Sequence, residues 1–218
     1  CGLRPREWAQ SEVVFIYEEP INDDNAFMAK ATPTLRVRNA KNSHERSHGD
    51  TRTLVFDANA DQRGIVGLVR QTCEQWRDYA TMYLDHLDPE MSRAVAWEQA
   101  IEHIRHDAGY MVRRATRELR LPDYTLYSAR HQFSANAKAA GLTQVEVAAV
   151  MGHASTDTAG EHYGRRRRGK RGGGMVVSPS TEDIAAVERL NPTLEGPGGK
   201  PIEGASIRPR GSGQSLGM

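Results

Sequence analysis

Two stretches of the chain repeat apolar residues at steps of three and four over several turns, and that pattern leaves few folds open. In the first, from about Gln62 to Leu84, Ile65, Val69, Cys73, Trp76, Ala80 and Tyr83 share one helical face. In the second, from about Met91 to Leu119, Ala94, Trp97, Ile101, Ile104, Ala108, Met111 and Ala115 do the same. A strand repeats every two residues and cannot produce this spacing, so both read as amphipathic helices with one side on a core. Trp76 and Trp97 fall on the stripes and are expected inside. Gly109 marks a candidate break in the second helix, since glycine costs about 1 kcal/mol against alanine in a helix interior.

Shorter helices follow Leu121-Pro122-Asp123. Ser128 can cap one with the stripe Ala129, Phe133, Ala137 and Ala140, and Gly141 sits where a left-handed residue would end it. Thr143 and Glu146 form a capping box opening a helix through Met151, which Gly152 ends. Ser155 or Thr156 can start a last helix carrying Tyr163 near its end. Nearer the start, a short helix from about Pro5 gives way to irregular or extended structure. Thr34 to Arg38 and Thr51 to Phe56 have β-type residues in partial alternation. The polar connector between them, Asn39 to Asp50, reads as a long hairpin loop.

Beyond Gly164 the chain turns Arg-rich, then passes through three glycines into Pro, Gly and Ser, with a brief helical possibility at Thr181 to Leu190. The expected fold is therefore mainly α with a small antiparallel β-hairpin or three-stranded edge sheet. It occupies residues 1–164 and is followed by a basic, then Gly/Pro/Ser-rich, disordered tail over 165–218.

No stretch approaches the roughly 18 apolar residues of a membrane span, so no membrane partner is expected. Cys1 and Cys73 are the only cysteines, which argues against a disulfide framework and for a reducing compartment, here read as the cytoplasm. The chain opens on Cys1 with no signal-peptide pattern, so an upstream portion is expected. The net charge of +1 hides an asymmetry: residues 165 to 171 hold 6 of 29 basic residues, leaving 23 against 28 acidic ones elsewhere. Attraction to phosphates must then come from local patches, among them Arg165, Arg166, Arg167, Arg168, Lys170 and Arg171.

Four short boxes carry chemistry. They are Gly2-Leu3-Arg4-Pro5-Arg6-Glu7, then Tyr127-Ser128-Ala129-Arg130-His131, then Met151-Gly152-His153, then His162-Tyr163. Their order and the 33 positions from Arg130 to Tyr163 resemble the catalytic domain of the tyrosine recombinases of the phage-integrase family. The resemblance spans roughly Gly2 to Gly164. It implies that Tyr163 is a nucleophile forming a 3′-phosphotyrosyl bond, that Arg4 and Arg130 hold the scissile phosphate, and that His153 hydrogen-bonds it. It further implies that Lys41, in the hairpin loop, protonates the leaving 5′ oxygen. Tyr127 stands where the family most often has His; it can hydrogen-bond a phosphate but does not exchange protons near neutral pH as imidazole does. His153 and Tyr163 are 10 positions apart, one more than the family's usual spacing.

Phosphodiester chemistry needs these residue types on its own account. Attack on a phosphodiester adds negative charge to oxygens that are already anionic. Two guanidiniums, always charged and forked, match that charge bidentately. A tyrosyl ester conserves the cleaved bond, so strands rejoin without a nucleotide or metal cofactor. The expected partners are double-stranded DNA and further copies of the chain, as a tetramer, with a separate N-terminal DNA-binding domain. Expected roles are site-specific recombination or integration of a mobile genetic element.

Three other readings compete: a non-catalytic DNA-binding protein of the same fold, a relaxing topoisomerase, and a zinc hydrolase using the H-E-x-x-H at residues 44–48. Against the last, Asn39 to Asp50 has Ala40 as its single apolar residue, too little to hold a helix in a core. Those histidines, with His103 and His106, read as solvated.

Overall fold

A computed structural model describes residues 1–17, 31–40, 47–57, 60, 64–156 and 175–191. A 3-10 helix over Pro5–Gln10 leads into strand β1 (Ser11–Tyr17), followed by β2 (Ala31–Arg38) and β3 (Thr51–Phe56). Then come helices α1 (Ile65–Leu84), α2 (Arg93–Glu118), α3 (Leu126–Ala140) and α4 (Gln144–Met151). Strand β4 (Val177–Pro179) and helix α5 (Thr181–Leu190) complete the described chain. No helix among the described residues is long and apolar enough to cross a membrane.

The sheet is antiparallel, in the order β1-β2-β3-β4. Its register follows the inward residues: Leu35 faces Leu54 across β2 and β3, and both are fully buried. The expected hairpin is thus the middle of a four-stranded sheet. β1 joins through Ser11–Tyr17, a β-branched and aromatic run with too little alternation to be read as a strand. β4 has only three residues, too few for a period to show.

Helix α4 is the centre of the core. Val147, Ala148, Ala149, Val150 and Met151 are all at most 1 % exposed, so α4 beyond its exposed first turn has no solvent face and must be covered on every side. β3, β4, α3 and α5 do this. Its Thr143–Glu146 capping box is present, with Glu146 N donating to Thr143 Oγ1 at 3.2 Å. Gly141 and Gly152 take the left-handed conformation at the ends of α3 and α4, as their sequence positions predict. α3 begins slightly earlier than expected: Thr125 is its N-cap, and Ser128 answers from the third helical position.

Helices α1 and α2 pack on each other through a smaller cluster of Ala80, Ala100 and Ile104. Trp76 and Trp97 are half-buried at its border and do not lie in the main core. α2 runs through Gly109 unbroken, and its buried face is Ala96, Ala100, Ile101 and Ile104, with Ala94 and Met111 exposed.

The expected disorder of the tail fails for residues 175–191, while the helical possibility at Thr181 to Leu190 is realised as α5. Val177 in β4 is 2 % exposed and Val187 in α5 is fully buried, both within the main core. A short apolar stripe, Ile184 and Val187, suffices because α4 offers it an apolar surface. Val187→Ala should therefore lower the unfolding free energy by about 2 kcal/mol, whereas Leu190→Ala, half exposed, should change it by less than about 0.5 kcal/mol. Urea melts of the two variants measure this; equal midpoints would mean that α5 does not belong to the folding unit.

Candidate functional site

Glu7, one turn into the chain's first helix, is fully buried and gathers three arginines. Arg4 reaches it from the preceding turn, its backbone N donating to Oε2 at 2.7 Å and Nη1 to Oε1 at 2.6 Å. Arg52, pointing inward from β3, donates Nη2 to Oε2 at 2.8 Å and Nη1 to Oε1 at 3.2 Å. Arg130, from α3, holds Nη1 3.9 Å from Oε2. Burial alone would raise the Glu7 carboxyl, but Arg52, Arg4 and Arg130 together outweigh it and hold it at about 2.

The same arginines close the end of α4. Arg52 Nε donates to Val150 O at 3.2 Å, Arg130 Nη2 to Met151 O at 2.5 Å, and Arg4 Nη2 to Gly152 O at 3.3 Å. The last carbonyls of a helix have no partner within it and carry the negative end of its dipole, so three guanidiniums satisfy them in hydrogen bonding and charge alike. Gly152 makes this approach possible. Its φ is +68°, and a Cβ there would lie 2.6 Å from Asn39 Oδ1 and 2.7 Å from Arg52 Nη1. Gly2 is similarly confined, with φ +66° and the Phe133 ring where a side chain would start, and its carbonyl accepts from Arg130 Nη1.

His153 follows Gly152, its N–H closing the turn on Ala148 O at 2.9 Å. Arg130 Nη2 lies 3.0 Å from His153 Nε2. A guanidinium only donates, so Nε2 accepts and the ring proton is on Nδ1. Burial first, then Arg130, Arg4 and Arg52, push the His153 imidazole down to about 2, so it is neutral at physiological pH. The assembly carries three guanidiniums against one carboxylate, and all three arginines are at most 5 % exposed, so it is a buried, preorganised positive centre. Such a centre suits an anionic oxygen cluster such as phosphate.

No family model, curated protein or solved structure matches this chain.

Of the residues singled out from sequence, the structure brings Arg4, Arg130 and His153 together. Tyr127 is on the first turn of α3, 40 % exposed, and lines a separate cleft of about 280 Å³ with Arg105, Gly109 and Arg113. It is not part of the arginine cluster. Lys41, Tyr163, Arg165, Arg166, Arg167, Arg168, Lys170 and Arg171 lie outside the described residues, as do His44 and Glu45 of the H-E-x-x-H segment. His48 of that segment is not solvated: its side chain is 1 % exposed and meets Asp183. Among the described residues, no group of three or more His, Cys, Asp or Glu is placed to hold a metal.

Sequence reasoning missed Arg52, although its signal is there. In Thr51–Phe56 the inward positions are Arg52, Leu54 and Phe56, so a charge shares the phase of two core residues. A buried cation at such a position demands a buried partner.

Removing one member of this network leaves charges buried and unpaired. Glu7→Gln and Arg52→Met should each cost about 3–5 kcal/mol of stability, measurable by chemical denaturation. His153 adds a pH signature. The folded state holds it neutral down to about 2, whereas in the unfolded chain it binds a proton near its ordinary 6.5. The unfolded state therefore binds more protons as pH falls below that value, and stability is lost from about pH 6.5 downward by up to about 1.4 kcal/mol per unit. Glu7 acts later, its contribution lost between its ordinary 4.5 and about 2. Denaturation midpoints across pH 4.5 to 7 should fall with acid in the wild type, and less steeply in a folded His153→Gln variant.

Proposed function

We propose that this protein breaks and rejoins DNA as a site-specific tyrosine recombinase, with a fold of the recombinase catalytic-domain type. The observation that carries the reading is the meeting of Arg4, Arg130 and His153 around one buried carboxylate, from three sequence-distant segments that the resemblance had singled out together. A phosphodiester held here would meet guanidinium donors fixed before it arrives. That is the condition under which electrostatic stabilisation costs no reorganisation during the reaction.

In this mechanism the Tyr163 oxygen, losing its proton to solvent water, attacks the scissile phosphorus. The phosphorus–5′-oxygen bond breaks, the 5′ oxygen takes a proton from Lys41, and the 3′ phosphate remains on Tyr163. Attack by another strand's 5′ hydroxyl reverses each step and releases the tyrosine. Arg4 and Arg130 balance the charge on the non-bridging oxygens. Arg4, at 5 % exposed, is the most accessible of the three clustered guanidiniums. His153, neutral, offers a hydrogen bond and no charge. The partner is double-stranded DNA, engaged by several copies of the chain.

A second reading, a non-catalytic DNA-binding protein, draws on one observation. Arg130 is 1 % exposed, and its terminal nitrogens are engaged by Gly2 O, Met151 O and His153. The two readings separate on a denaturing gel after incubation with nicked suicide duplexes bearing candidate exchange sites. The expected result is a covalent protein–DNA adduct that is absent in Tyr163→Phe and reduced about 100-fold or more in Arg4→Ala. Binding without adduct would leave the non-catalytic reading.

A further inference from the structure

We propose that His48 is a positioning residue that, as an imidazolium, clasps the His153 turn to helix α5. His48 precedes β3. Its Nε2 lies 2.9 Å from Asp183 Oδ1, and its Nδ1 lies 3.3 Å from the carbonyl oxygen of His153. Asp183 is itself fixed: its Oδ2 accepts from Thr53 N at 2.7 Å and from Ser180 Oγ at 2.9 Å. One side chain thus links the loop before β3, the turn after α4 and the first turn of α5.

Both partners of the ring are acceptors. A carbonyl oxygen has only lone pairs, and a carboxylate has no proton to give. Neutral imidazole carries one N–H and would turn a lone pair on either the carbonyl or the carboxylate, exchanging a bond for a repulsion. The imidazolium satisfies both, and it sets a positive charge against Asp183 in a place closed to water. The charged group facing the ring is Asp183 on α5. The guanidiniums of Arg52 on β3, Arg130 on α3 and Arg4 at the chain start lie on the α4 side of the His153 turn, where they donate to Val150 O, Met151 O and Gly152 O and are countered by Glu7. His153 is neutral and adds no charge.

The functional consequence follows from where the clasp pulls. The His153 carbonyl it holds belongs to the same residue whose ring accepts from Arg130. Loss of the His48 proton frees that carbonyl or the Asp183 link, and the turn carrying the His153 imidazole loses its tie to α5. The assignment of His153 to phosphate rests on the recombinase reading; the protonation state of His48 does not.

Imidazole nitrogen NMR on the whole ¹⁵N-labelled chain, without DNA, tests this directly. The His48 signals are assigned by their loss in His48→Asn. Both ring nitrogens should carry protons at pH 7. In Asp183→Asn the amide nitrogen can donate to Nε2 while the amide oxygen keeps the bonds from Thr53 and Ser180, so His48 should become singly protonated at the same pH. In folded His48→Asn the His153 ring resonances should shift. A singly protonated His48 in the wild type would overturn the clasp, as would unmoved His153 signals in that variant. Should His48→Asn not fold, Asp183→Asn decides alone, since it keeps every hydrogen-bond partner: an unchanged doubly protonated ring there would overturn the role of Asp183. A wild-type chain that shows the imidazolium but forms no DNA adduct would sink the recombinase reading and leave the clasp standing.

Discussion

A single carboxylate, Glu7, makes it possible to bury three arginines in a protein of this size. Placing a guanidinium out of water costs several kcal/mol unless charge and hydrogen bonds replace the lost hydration. Glu7 supplies the charge, and the free carbonyls at the end of α4 supply three further acceptors. The two depend on each other. Without the carboxylate the arginines have no counter-charge; without the arginines the end of α4 would leave its carbonyls unsatisfied inside the core. The chain start, β3, α3 and the α4 turn are locked into one arrangement by this exchange, and that arrangement sets the geometry of the candidate phosphate site.

The regular parts of the fold were legible because their signals are local. The capping box of α4, the glycines after α3 and α4 and the long stripe of α1 are each written within one or two turns of sequence. What escaped was decided at a distance. β4 exists because β3 offers it a free edge, and α5 is held because α4 has an apolar side to cover. The stripe of α3 was misjudged for a related reason. Its buried face runs through Arg130, Ser134 and Ala137, and a pattern search for apolar residues passes over an arginine and a serine that the core accepts only because partners await them.

The candidate site divides in the same way. Arg4, Arg130 and His153 were found by their order along the chain, and the geometry joins them. Glu7 was noted only as a neighbour in sequence, and Arg52 was passed over as one of many charged residues. His48 was set aside as part of a decoy motif. All three act through contacts between segments, with 45 positions separating Arg52 from Glu7 and 135 separating His48 from Asp183. Spacing along the chain cannot report such pairs. A charged residue in the inward phase of a strand, as at Arg52, is the one cue that would have prompted the search for a partner.

The enclosure of α4 also bears on how the chain comes to be folded. During synthesis this helix emerges with five consecutive apolar residues that end up buried, while part of their cover, β4 and α5, is still to be made. Of its remaining walls α3 is adjacent in sequence, but β3 lies far upstream, so that contact is long-range and slow to form. Until Val187 has left the ribosome, the side of α4 that α5 covers stays open to other chains. The turns of α5 are therefore also the step that ends this exposure to aggregation.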